Sequence, residues 1–446
     1  MKKLVVLILL QFLAVSSFAQ IENLRLSHPV YDFLHIMKVR GVVSNFHYDA
    51  PNRTYHEISI LLDTIKHRTA ELSETEKSLF EKYYREFNLE LSDSKNGFDL
   101  LKDGFDFEHK ISGIASDREK YLFRYQGENL NFKAELIGHI YGGIQTPEAH
   151  FHSFMIDGGF KLRGTFLKHF GYDFTVDKGI IQGSRGVSAQ IKPELLFDTK
   201  FTQAVEEASN YGTAEGYINY FQQFDKDFLL NVQLGREQFK LGYGYGSRLI
   251  HSGDAPMMDL IKFRFQYGNF HYQTIHASSV GYFTFPRIDN YTKHFVYKKV
   301  KLSLPNLFDF GLGEGMVYAD RGIEISYLNP LMFYKFAELS TQDRDNSIFW
   351  ADFQLNAIKD FEFQATWFMD ETVNIYDLNH YSSKVAYQFG MFFHSPLGVN
   401  DLSIWTEFTR IRPFVYSHLS IVSDYTAYGT IVGHRIGPNA DELLLG

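Results

Sequence analysis

The sequence predicts an all-β protein, a transmembrane antiparallel β-barrel of roughly 16–18 strands behind a small N-terminal helical unit. Three observations carry this reading. Hydrophobic residues alternate with period two in runs of nine to thirteen, aromatic residues gather at the ends of those runs, and the polar face is rich in charge. Soluble strands average five or six residues, whereas a tilted membrane strand needs ~9–11. Interfacial aromatic girdles and a wet lumen account for the other two features.

In chain order, residues 1–19 read as a signal peptide. Lys2-Lys3 is a positive start, Leu4 to Val15 an apolar core, and Ser17-Phe18-Ala19 a small-x-small step before Gln20. That core is too short to cross a bilayer as a helix, which takes ~20 residues. Residues 20–96 are expected to form a periplasmic helical unit. A short helix starts after Ser27-His28-Pro29, with Val30, Phe33, Leu34 and Met37 on one face. Thr54 and Glu57 spell a capping box ahead of Ile58, Leu61, Leu62 and Ile65, and Ser73 with Glu76 repeats it ahead of Phe80, Tyr83 and Phe87. A unit placed there would cover part of the lumen.

From Gly97 onward the period becomes two. Phe132, Ala134, Leu136, Gly138 and Ile140 oppose Lys133, Glu135 and His139. Phe154, Ile156, Gly158, Phe160, Leu162, Gly164 and Phe166 oppose Asp157, Lys161, Arg163 and Thr165. Segments 261–267, 361–370 and 385–393 repeat the pattern, with Phe265-Gln266-Tyr267 and Phe392-Phe393 as aromatic ends. Residues 97–446 are therefore assigned to the barrel. Its last residues, Asp441 to Gly446, look like a strand just starting, so the closing strand is expected to be missing.

Composition narrows the function. The chain is 45% hydrophobic, 17% aromatic and 22% charged, with a net charge of −9 and no basic run. A nucleic-acid partner, which needs a basic patch, is not expected. With no Cys there is no disulfide, thiolate metal site, Cys nucleophile or lipidated Cys anchor. His150-Phe151-His152 puts two imidazoles on one strand face without a third ligand, so no metal and no cofactor is expected. Hydrolase and nucleotide-binding motifs are missing from the sequence, and no enzyme is expected.

Two stretches stand out. In Leu234–Leu260, Gly242, Gly244 and Gly246 alternate with Tyr243 and Tyr245 before an Arg248 and a Ser252–Pro256 turn. In 310–346, Gly311-Leu312-Gly313-Glu314 and Asn329-Pro330-Leu331 lead to Asp343-Arg344-Asp345-Asn346. Tyr243, Tyr245, Arg248, Asp254, Asp343 and Arg344 are the candidate glycan contacts: tyrosines give faces to sugar C–H groups, and arginines give bidentate donors to acidic sugars. Arg248 and Arg344 could equally hold loops by pairing with Asp254 and Asp343.

The order Gly235-Arg236-Glu237, Ser247-Arg248-Leu249, His251–Pro256, Gly311–Glu314, Asn329–Leu331, Asp343–Asn346, Asp352 and Asp370-Glu371 resembles the Wzi-type capsule assembly family of outer-membrane proteins. The resemblance covers roughly residues 220–446; Glu237 stands where the family has Asp. It implies a barrel with a small periplasmic helical part, in the cell outer membrane, that acts as a lectin-like receptor attaching capsular polysaccharide. It carries over no catalytic residue. The expected partners are surface or capsular polysaccharide and outer-membrane lipids, and the alternative reading is a porin or substrate channel.

Overall fold

The computed structural model describes residues 20–89, 97–101, 119–127, 129–145, 151–197, 210–225, 227–280, 291–340, 345–370 and 383–446. Three helices lead the chain: α1 (Val30–Val39), α2 (Tyr55–Lys66) and α3 (Glu74–Leu89). Both capping boxes form. Glu57 N–H donates to Thr54 Oγ1 at 3.2 Å while Thr54 N–H donates to Glu57, and Ser73 and Glu76 exchange the same two bonds. The apolar stripes meet in one cluster built on Leu34, Met37, Ile58, Leu62 and Phe80.

One antiparallel sheet of fifteen strands follows, among the described residues. A parallel pair, β1 (Gly97–Asp99) and β2 (Glu119–Tyr121), precedes it. The strands are β3 (Phe123–Gln126), β4 (Leu130–Gln145), β5 (Phe151–Phe166), β6 (Phe170–Gly183), β7 (Asn210–Gln223) and β8 (Phe228–Glu237). Then come β9 (Met258–Tyr267), β10 (Phe270–Val280), β11 (Thr292–Leu304), β12 (Phe308–Ala319), β13 (Asn346–Leu355), β14 (Phe361–Asp370), β15 (Val385–His394) and β16 (Ser403–Ile411). A small hairpin, β17 (Thr426–Ala427) and β18 (Thr430–Ile431), lies before the last strand, β19 (Ala440–Leu445). Each strand of the sheet pairs with its sequence neighbour, and β19 pairs with β16. The fifteen strands among the described residues compare with the roughly 16–18 expected, and the excursions after β8, β12 and β16 absorb whole strand-lengths of chain. The final residues do pair: Trp405 and Gly446 exchange backbone bonds at 2.9 and 3.0 Å. β3 and β19 end the sheet order and are not paired with each other among the described residues.

The alternation holds residue by residue. On β5, Phe154, Ile156 and Phe160 are exposed, while Asp157, Lys161, Arg163 and Thr165 are buried. On β14, Glu362, Gln364, Thr366 and Asp370 are buried and Trp367 is not. The charged face is therefore the inner one. Leu136, Ile140, Ile144, Leu234, Val300 and Leu312 continue an apolar outer belt that water would penalise at ~25 cal/mol per Å². Lipid is the environment it fits.

Short turns join β5 to β6, β7 to β8, β11 to β12, β13 to β14 and β15 to β16 at one end. Aromatic pairs ring that end: Phe166–Phe170, Phe224–Phe228 and Phe361–Phe393 have centroids 5.1, 4.4 and 4.9 Å apart. They form the interfacial girdle the strand ends announced. No described helix is long and apolar enough to cross a membrane.

The helical unit sits inside, at the short-turn end. Lys38 Nζ donates to Asp309 and Gln354, both at 2.7 Å, and His35 Nε2 lies 3.0 Å from Glu362. Lys301 reaches Asp49 at 2.7 Å, with Lys299 beside it, and Arg264 reaches Glu57 at 2.8 Å. On the opposite wall Ile21 N–H donates to Thr165 and Asn23 N–H to Tyr217. One segment thus touches strands from β5 to β14, which requires the sheet to curl around it.

Glu57 makes this docking sensitive to acid. Burial works against its charge, but the Arg264 and Arg53 guanidiniums outweigh burial and hold the carboxyl at about 2, below its ordinary 4.5. A depressed carboxyl stabilises the fold above its unfolded value and loses that contribution as pH falls through the folded one. Acidification from pH 4.5 towards 2 should therefore expose residues 53–68 to pepsin before the barrel itself opens. Simultaneous loss of both would refute this.

Candidate functional site

The lumen is closed twice. Besides the helical unit, the excursion between β8 and β9 turns inward instead of standing up as a loop. Phe239, Leu241, Tyr243, Leu249 and Ile250 are all at most 1% exposed. Phe239, Leu241, Leu249 and Ile250 pack on Ile348, Trp350, Phe368 and Ala386 from the inner faces of β13–β15, and on Val415, Tyr416, Tyr425 and Val432 from the excursion between β16 and β19, while the Lys299 ammonium lies 5.6 Å from the Tyr243 ring centre. A wet lumen partly covered by the helical unit was expected, yet the inner face becomes apolar at the long-loop end, and this plug is the reason. Gly242, at φ +94°, and Gly244, at φ +154°, make the sharp turns possible; a Cβ on Gly244 would lie 2.0 Å from the Ser247 carbonyl. The two closures touch: Gly242 N–H donates to Asp49 O at 2.9 Å, and the Arg248 guanidinium lies 4.9 Å from the Tyr48 ring.

This placement changes the role of the sequence candidates. Tyr243 is sealed in the plug and Arg248 is 4% exposed, so neither offers a free face or fork to a sugar. The Tyr245 hydroxyl donates to Glu362 at 2.8 Å and its N–H donates to Glu407, tying plug to wall. Asp254 is exposed and 3.3 Å from the Ser247 hydroxyl. Asp343 and Arg344 lie outside the described residues, as does His150; His152 is exposed on β5. Burial follows from apolar neighbours (Phe239, Leu249, Ile250) that pull the whole segment inward.

A cavity of about 480 Å³ stays open in the lumen, between the β4–β8 wall, residues 23–27 and the turn 191–194. That turn is positioned by α4 (Arg185–Ile191), whose N-cap Ser184 accepts from Val187 N–H. Lys192 Nζ bridges Asp157 and Asp177 at 2.8 and 2.7 Å. Tyr211 OH donates to Asp157 at 2.8 Å, and His139 Nδ1 lies 2.7 Å from the same carboxylate. Arg25 pairs with Glu215 and reaches Thr175 at 3.2 Å. Glu237 closes the floor, accepting from Asn23, Gln233 and Lys262.

Acids dominate the lining: Asp173, Asp177, Glu194, Glu215 and Glu237 face Arg25, Lys192 and Arg236. Burial pushes the Glu194 carboxyl above its ordinary value, and Lys192 is held charged because its two carboxylate bonds outweigh burial. His139, Asp157 and Asp177 converge at metal-ligand spacing, but the Lys192 ammonium already stands between the two carboxylates. A hydroxyl-rich, uncharged ligand matches this lining: carboxylates accept from hydroxyls, and Tyr141 and Tyr217 supply ring faces. None of these residues was read as a site in the sequence, although Asp173, Thr175 and Asp177 repeat at period two on β6 and so announce a polar inner face.

A charged-lumen antiparallel barrel with an apolar belt, filled by its own N-terminal helices and loops, defines the class: a plugged barrel of the outer-membrane type. The fold within that class is Wzi-like. The chain superposes on an Escherichia coli outer-membrane protein, Wzi, involved in group 1 capsule assembly and described as a carbohydrate-binding β-barrel, with a TM-score of 0.53 and 13% identity over 96% of this chain and 82% of that one. Looser likenesses run to the Acinetobacter baumannii barrel OccAB2 (TM-score 0.31, 12% identity, 64% of this chain and 82% of that one). A BenF-like porin from Pseudomonas fluorescens gives 0.31 and 11%, over 66% and 85%. No protein-family model matches the sequence, and no curated protein sequence does.

Proposed function

We propose that this protein is a non-enzymatic outer-membrane barrel that binds and organises surface or capsular polysaccharide, with its short-turn end and helical unit in the periplasm. The carrying observation is the doubly closed lumen in a Wzi-like fold. A barrel that spends its interior on packed helices and an apolar plug is built to hold something at its surface rather than to let solutes through. The signal-like first nineteen residues and the lipid-fitting belt support the location, and short turns mark the periplasmic end in barrels of this kind. The β4–β8 cavity gives the glycan a place to enter, and its acidic lining favours neutral sugars over the acidic ones that Arg248 and Arg344 suggested.

Tyr141→Ala removes a ring face at the cavity and is expected to lower retention of surface polysaccharide by cells several-fold, while heat-modifiable migration of the barrel stays normal. A ring stacked on a flat ligand such as a nucleobase contributes ~1–3 kcal/mol, and a loss on that scale lowers binding several-fold or more. Unchanged retention with an intact barrel would take the glycan away from this cavity. Steady ion conduction by the wild-type protein in planar bilayers would favour the porin reading instead.

A further inference from the structure

The excursion between β12 and β13 behaves unlike the other two. It turns outward and lies down on the barrel wall. Its two short helices, α5 (Ile325–Leu328) and α6 (Tyr334–Ser340), bring Tyr327, Tyr334 and Ala337 against Val296, Met316 and Tyr318. Those wall residues sit at even positions of β11 and β12, whereas Lys299, Lys301 and Asp309, which hold the helical unit, sit at odd ones. The flap therefore covers the outer face.

Its place on the wall explains why it is needed. A membrane strand crosses with ~9–11 residues, alternate ones facing lipid, and on β12 the outward series is Phe310, Leu312, Glu314, Met316 and Tyr318. Glu314 falls in the middle of that series, paired across the sheet with Lys298 on β11. A bare charge at mid-depth on the lipid face is destabilising. Here it is covered: Lys298 and Glu314 are 8% and 7% exposed and form an ion pair at 3.1 Å. The flap supplies their remaining partners. Tyr334 N–H donates to Glu314 at 3.1 Å, Lys298 donates to the Met332 carbonyl, and the Lys298 ammonium lies 4.1 Å from the Tyr334 ring centre. Tyr272 on β10 donates to the Pro330 carbonyl, and Arg321 and Tyr327 anchor the root on Asp345.

With its polar groups turned inward, the flap presents apolar side chains outward. Ile325, Leu331, Phe333, Phe336 and Leu339 are 79, 88, 65, 68 and 55% exposed. They continue the belt of Val300, Leu302, Phe310 and Leu312 on the strands beneath. We infer that residues 323–340 form a lipid-embedded flap, whose outer face contacts acyl chains and which seals the Lys298–Glu314 pair from the bilayer. The Gly311–Glu314 and Asn329–Leu331 steps of the sequence meet here, as charge and cover.

The chain has no Cys, so a single introduced thiol labels uniquely. Nitroxide labels would be placed by Leu331→Cys and, separately, Phe336→Cys in protein reconstituted into phosphatidylcholine vesicles. Leu312→Cys on the strand belt and Leu419→Cys, at a 98% exposed position of the β16–β19 excursion, serve as references. Collision with oxygen, which partitions into lipid, is compared with collision with a water-soluble nickel chelate. The flap labels are expected to match the Leu312 label and to exceed the Leu419 label several-fold in the oxygen-to-nickel ratio. Flap labels that match Leu419 while Leu312 reads as lipid would overturn the flap alone. A Leu312 label that also reads as water would overturn the belt, and the flap with it.

Discussion

Removing both closures, by deleting residues 28–92 and replacing the two inward excursions with short turns, is expected to turn a silent barrel into one that passes ions in porin-like steps. Deleting residues 28–92 alone should leave the protein nearly silent. A helical unit covering part of an otherwise open lumen, as the sequence suggests, would by its loss alone raise conductance, and the plug is why it should not. The unit is held by ion pairs to β9–β14, and the plug is a separate apolar core on β13–β15, so each closes the lumen without the other. The two also touch: Gly242 bonds to Asp49 and Asn52 to the Gln238 carbonyl, Arg248 lies over Tyr48, the His35 and Tyr48 rings meet Tyr245, and Ala50 packs on the plug core. Planar-bilayer recordings on heat-modifiable, correctly migrating variants decide the matter. Large steps from the unit-deletion variant alone would show that the plug does not seal.

The division between what could and could not be read follows from range. Helix caps and period-two faces are local, and the chain announced them: Thr54 with Glu57, Ser73 with Glu76, and Phe160 opposed to Lys161 all stand where the pattern put them. Contacts that fill the lumen are not local. Lys38 meets Asp309 across 271 residues, and nothing in either neighbourhood points to the other. The inward plug was misread for a related reason. Phe239, Leu241, Leu249 and Ile250 carry no regular period, and glycine–tyrosine alternation looks like a strand until the chain is seen turning at Gly242. The inner faces of β13 and β14 also mix Trp350 and Phe368 with Asp352 and Gln364, so a polar lumen held for only part of their length. As for the cavity, its acids were visible on β6, but only the curled sheet brings them to Arg25 and Lys192.

Adjacent residues on β5 should respond to substitution for opposite reasons. Phe160 points to lipid at mid-strand and is 41% exposed; Phe160→Arg places a charge there and is expected to cost ~2–4 kcal/mol. Lys161 points inward, and a wet lumen would let it become Ala without penalty. The structure predicts otherwise. Lys161 is 5% exposed and its ammonium lies 2.9 Å from Asp173, itself 6% exposed. Removing one partner of a buried pair leaves the other charge uncompensated, at ~3–5 kcal/mol. Lys161→Met with Asp173→Leu, which removes both charges at similar volume, should recover most of that loss. Urea unfolding of the three variants in lipid vesicles measures each cost. If Lys161→Ala unfolds with the wild type, water reaches Asp173 and the β4–β8 side of the lumen is wetter than its geometry implies. If Phe160→Arg is the silent one, the outer face of β5 is not in lipid.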